Sequence, residues 1–114
     1  MKRIRRTRAV NASREDIPVG RENAISKKAL AALWGCSIRE VRATVAELRR
    51  TPSQDGFIIC SSVQSTAGYW RTADPGEIRE FVRHMESRAR ATFLAIQEAR
   101  RVLKRSEVMR SEVE

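Results

Sequence analysis

A chain of 114 residues is one domain's worth with room for an appendage, and its 23 Lys and Arg against 14 Asp and Glu leave a net charge of +9. The isoelectric point near 10.9 asks for an acidic partner, nucleic acid first, though charge alone also serves solubility and non-specific association. One histidine and two cysteines, with no paired carboxylates, glycine-rich phosphate loop or clustered metal-ligand spacing, argue against an enzyme, a cofactor and a metal site.

Cys36 and Cys60 each stand among small or apolar residues, which suits buried thiols in a reducing cytoplasm better than a disulfide framework. No apolar run approaches membrane-spanning length, and no signal-peptide core follows the basic start. The expectation is a cytoplasmic protein with no membrane partner.

The chain opens with MKRIRRTR, in which Lys2, Arg3, Arg5, Arg6 and Arg8 meet no acid. Such a run repels itself and buries little, so residues 1–9 read as a mobile arm. Arms of this kind lie along phosphates or enter a minor groove, which makes Arg3, Arg5 and Arg6 phosphate-binding candidates; a merely solvated terminus is the alternative. Residues 10–17 read as a first helix, ended by Pro18 and Gly20.

Residues 26–50, SKKALAALWGCSIREVRATVAELRR, organise the rest. Ser26 is set to cap a short helix over residues 27–34, with Leu30, Leu33 and Trp34 on its apolar side. Gly35-Cys36 breaks it. Ser37 followed three residues later by Glu40 is a capping box that starts a second helix sharply. In that helix Ile38, Val41, Val45 and Leu48 form one apolar stripe and leave Arg39, Ala43, Ala46, Glu47 and Arg50 outward, with Arg42 on the flank. Small Ala31 at the helix contact, Gly35 at the turn, and apolar Leu30, Trp34, Cys36, Ile38 and Val41 around it resemble the helix-turn-helix of DNA-binding proteins. The departure is Thr44, where that family usually has an aliphatic residue; Val45 beside it can pack instead. An ordinary αα-hairpin is the competing reading.

The turn cluster Thr51-Pro52-Ser53-Gln54-Asp55-Gly56 stops the second helix. Residues 57–61 and 68–71 then read as two short strands of a β-hairpin. A hairpin directly after a helix-turn-helix is a wing, and residues 23–70 resemble compact winged-helix proteins of bacteria and their phages. The implied fold is mainly α with a small β-hairpin: a winged helix-turn-helix over residues 10–73, then a long C-terminal helix. In that family the second helix enters the major groove and the wing rests on a neighbouring groove or backbone. Carried over by position, the resemblance offers Ser37, Arg39, Arg42 and Ala43 as base readers, and Lys27, Lys28, Arg49, Arg50 and Arg71 as phosphate contacts. The wing tip, residues 62–67, carries no Lys or Arg, so it should add little salt-dependent affinity. Tyr69 and Trp70 read as core residues.

Asp74, Pro75 and Glu77 form a strong helix start. No Pro or Gly follows up to Arg105, so the expected helix covers residues 74–106, ahead of a frayed tail over 107–114. Ile78, Val82, Met85, Ala89, Thr92, Ile96, Ala99 and Leu103 recur at alternating spacings of four and three, a heptad seam. Phe81, Phe93, Leu94 and Val102 widen it. A domain of this size covers two or three turns of such a helix, so the seam, with Phe93 beside it, points to a homodimer. A break near Ser87-Arg88 with a fold-back, or a different protein partner, are the competing outcomes. His84 reads as a surface residue.

Two functions follow. One is a dimeric, sequence-specific protein of double-stranded DNA, either a transcriptional regulator or a phage replication or packaging factor, reading half-sites one helical turn or a multiple apart. The other is a phage-type interaction protein or inhibitor, anti-CRISPR-like, that turns the same fold on a protein or ribonucleoprotein.

Overall fold

The computed structural model describes residues 11–62 and 68–113. The residues read as a basic arm, with Arg3, Arg5 and Arg6, and residues 63–67 of the expected wing tip lie outside them. The order is α1 (Lys27–Trp34), α2 (Ile38–Arg50), β1 (Ile58–Ser61), β2 (Tyr69–Thr72) and α3 (Pro75–Val113), with two short 3₁₀ turns ahead of α1. The architecture is mainly helical with one antiparallel hairpin, in which Ile58 faces Thr72 and Ser61 faces Tyr69. A compact unit ends at Arg79, and the chain from Glu80 onward forms a second unit.

The expected first helix over residues 10–17 does not form in the described part. Its place is taken by a single 3₁₀ turn, Arg14–Asp16, capped by Ser13. Local polar bonds win there: the Ser13 amide donates to Asp16 at 3.1 Å, and a Ser or Asn that bonds its own backbone competes with a helix. Asp16 also accepts from the Trp34 indole at 2.8 Å, which fixes the turn against α1.

Around the helix pair the local signals act as their chemistry requires. The Ser26 hydroxyl accepts from Ala29, and the Ser37–Glu40 box closes in both directions at 2.9 and 3.1 Å. Gly35 takes φ +65°, a left-handed helix end, while the next amide, Cys36, donates back to Ala31. Two positions differ from the expected stripes. Leu33 is 59% exposed and Ile38 41% exposed. At 100° per residue Leu33 stands about 100° from Trp34, and Ile38 about 60° beyond Val41 at the edge of the buried arc. Thr44, by contrast, is fully buried; its hydroxyl donates to the Glu40 carbonyl at 2.7 Å, so the polar atom is satisfied within the helix and its methyl group packs.

The core joins Ile17, Leu30, Trp34, Val41, Val45, Ile59 and Tyr69. Tyr69 and Trp70 are both buried, on alternating sides of β2, and the Trp70 indole donates to Glu77 in the first turn of α3. The free edge of β2 is covered: Ile25 and Tyr69 exchange backbone hydrogen bonds at 2.8 and 2.9 Å, and Arg71 bonds to Pro18 and Gly20. The segment ahead of α1 thus shields an edge that would otherwise offer unpaired backbone groups.

Asp74 caps α3 through the Glu77 amide. The helix is continuous for 39 residues, with no break at Ser87-Arg88. It also runs past Arg105 to Val113, where a frayed tail was expected; the glutamates there are as compatible with helix as the residues before them. From Val82 to Glu112 every side chain is exposed. Leu94 does not widen the seam: two residues from Ile96, it projects about 200° around the helix. No helix among the described residues is long and apolar enough to cross a membrane.

Candidate nucleic-acid interface

α2 presents its outer face because its buried arc is narrow: Val41, Thr44, Val45 and Leu48 turn inward. Arg39 and Arg50 stand about 160° and 180° from Val41, and Arg42 about 100°. All three are exposed. Arg39 and Arg42 make no hydrogen bond or ion pair with any described residue, whereas Arg50 is paired with Glu47 at 3.1 Å. Ala43 is half-buried rather than fully outward. The Ser37 oxygen is committed as the α2 cap, which leaves its hydroxyl proton available to an outside acceptor. Lys28, in the first turn of α1, is exposed and Lys27 half-buried.

Two of the sequence candidates are drawn inward. The Arg49 guanidinium donates to the Ile59 carbonyl at 3.0 Å and to the Ser61 hydroxyl at 3.1 Å, and lies over the Tyr69 ring. It ties α2 to β1. Arg71 donates to the Ile17 carbonyl at 2.7 Å, pairs with Asp55 at 3.5 Å and stacks over Phe57. Both side chains are spent on folding geometry, for the same reason that arginine suits phosphates: a planar fork with several donors satisfies several acceptors at once.

Asp55 gathers a small network that sequence reading treated only as turn. Its carboxylate accepts from the Phe57 amide and the Ser53 hydroxyl and faces Arg14 at 3.6 Å. Arg14 also donates to the Phe57 carbonyl at 2.7 Å. The Phe57 amide first, then Ser53 and the charge of Arg14, hold the Asp55 carboxyl below its ordinary range. The Ser-x-Asp-Gly spacing was the available signal for the turn, but the arginine partners come from 41 and 16 positions away.

Ile38 is a second residue given a new place by the structure. It stands next to Arg39 at the open start of α2, partly free of the core. Cys36 at the adjoining turn is half-buried and Cys60 buried, with no disulfide between them. Burial, then the nearby Glu40 charge, pushes the Cys36 thiol up, so it is a weak nucleophile. No group of three or more metal-ligating side chains occurs among the described residues. No protein-family model, curated protein or solved structure matches the chain.

Proposed function

We propose that the chain is a cytoplasmic, dimeric winged-helix protein that reads double-stranded DNA by inserting α2 into the major groove. The observation that carries this reading is the sorting of arginines. Arg14, Arg49 and Arg71 are bonded inward, while Arg39 and Arg42 extend unengaged from the exposed side of α2. Each can take guanine O6 and N7 as a bidentate pair, the small Ala43 admits close approach, and Ile38 can meet a thymine methyl. Ser37 offers its hydroxyl at the helix start. Lys27, Lys28 and Arg50, together with Arg3, Arg5 and Arg6 of the arm, bind phosphates and set the register. The β1–β2 hairpin acts as a wing with a weak ionic contribution, and the exposed seam of α3 supplies the twofold.

The test is selection from a random duplex library at two salt concentrations, with the mass in solution read by light scattering. The expected result is a repeated half-site motif that survives the higher salt. Arg39→Ala with Arg42→Ala should weaken the selected site by about 1–3 kcal/mol per arginine and relax the motif. Binding that collapses with salt and returns no motif would overturn the reading. Function that survives that pair but is lost by changes between Phe93 and Leu103 would assign the fold to a protein or ribonucleoprotein partner.

A further inference from the structure

The orientation of the α3 pair is written in its charges. With Ile78, Met85, Thr92 and Ala99 at d and Val82, Ala89, Ile96 and Leu103 at a, the e positions are Arg79, Glu86, Phe93, Arg100 and Glu107. The g positions are Phe81, Arg88, Ala95, Val102 and Met109, with a single charge. In a parallel pair, g meets e of the next heptad in the partner. Phe81 then faces Glu86, Arg88 faces Phe93, Ala95 faces Arg100 and Val102 faces Glu107. No ion pair forms.

In an antiparallel pair e faces e. With Phe93 on the twofold axis, Glu86 meets Arg100 of the second copy and Arg79 meets Glu107, each contact repeated by symmetry. Sliding one copy by a heptad in one direction sets Arg79 against Arg100; sliding it in the other sets Glu86 against Glu107. Of these three registers only the Phe93-centred one pairs unlike charges, and it does so over the longest overlap of the two helices. On the opposite flank Arg88 lies beside Val102, so no like charges meet there.

The side chains are available for this. Arg79, Glu86, Arg100 and Glu107 are all exposed, and none is held in a hydrogen bond or ion pair by another described side chain. The adjoining Glu98, outside the seam, is already closed on Arg101 at 2.7 Å. In the same register the two central layers set Thr92 against Ile96 of the second copy, the next Ala89 against Ala99, the next Met85 against Leu103 and the outer ones Val82 against Ser106. The small Ala89–Ala99 layers let the helices approach, and the larger Met85–Leu103 layers pack just outside them.

We propose that α3 binds α3 of a second copy as an antiparallel, Phe93-centred two-stranded coiled coil, selected by the Glu86–Arg100 and Arg79–Glu107 pairs. The proposal rests on the dimeric reading above and adds its orientation and register.

The test uses the full chain with Cys36→Ser, which leaves only the buried Cys60 thiol. Ala89→Cys and Ala99→Cys are made singly and exposed to mild oxidation, alone and mixed. Disulfide-linked dimer in the mixture but in neither single variant is the expected result. Linkage within either single variant means parallel helices and overturns the orientation while leaving a dimer. A monomer by light scattering at every concentration overturns the dimer itself, and the proposal with it. Glu86→Arg should raise the dimer dissociation constant about tenfold, and adding Arg100→Glu should return it to within about threefold. These exposed changes are checked for unaltered helicity by circular dichroism. Two residues 14 positions apart cannot compensate within one helix, so absence of rescue would also overturn the register.

Discussion

Gly68 lies so close to the Ile25 backbone that an added Cβ would sit 1.7 Å from its carbonyl oxygen. The requirement is proximity: the two chain segments are held by a paired hydrogen bond, and neither can retreat without losing it. Gly68→Ala should therefore cost at least about 3 kcal/mol, read as a large fall in the urea midpoint. Asp55 makes a different prediction at the same scale. Its carboxyl titrates lower in the fold than in the open chain, so its stabilising contribution is fully present above the unfolded pKa of about 3.9 and fades as pH falls through the folded value. In acid titrations followed by circular dichroism, the parent should be the more stable protein above about pH 5. Parent and Asp55→Asn should converge only once pH has fallen below the lowered folded pKa of Asp55, where both carry a neutral side chain. An advantage that stayed constant with pH would assign Asp55 a packing role instead.

At the scale of elements, Arg49 bonds α2 to the hairpin beside the core the two share. Arg49 spans from the helix to two acceptors on β1. Arg49→Ala removes both bonds and leaves a partly buried carbonyl unmet, a loss of about 1–3 kcal/mol in denaturant unfolding. Duplex affinity, measured well below the melting transition, should remain within about twofold of the parent, since by the proposed contacts Arg49 touches no phosphate. A large loss of affinity in a folded variant would return Arg49 to the interface. The helices themselves need less tertiary help: Ser26, the Ser37–Glu40 box and Asp74 cap their elements from within a few residues.

The whole molecule has a charge of +9, but charge counts toward DNA only where it can reach a phosphate. In the proposed complex Lys27 and Lys28 each release counterions on binding, at a slope of about 0.9 per phosphate contact. Lys27→Ala with Lys28→Ala should therefore flatten the plot of log affinity against log salt by about 1.8, equally for specific and random duplexes. Arg39→Ala with Arg42→Ala should instead fall mainly on the specific sequence. A salt slope unchanged by the lysine pair would remove the start of α1 from the interface.

What the sequence determined by itself is what short-range chemistry decides. The caps, the glycine turn between α1 and α2, the end of α2 before Thr51 and the start of α3 rest on contacts within a few positions, and the hairpin on pairs 8 to 14 positions apart, so residue type and spacing were enough. Residues 13–17 misled because a helix and a 3₁₀ turn compete closely in a short polar segment, and the bond from Trp34 to Asp16 that holds the turn is a long-range one. Only the tertiary structure decided which arginines are free. Arg49, Arg71 and Arg39 carry the same group on the same chain, and their difference lies in whether carbonyls and carboxylates distant in sequence are folded to within hydrogen-bonding reach. It also decided that Leu33 and Ile38, apolar and in phase with their helices, stay in part outside the core. An apolar side chain at the edge of a helical face is buried only if another element arrives there to cover it.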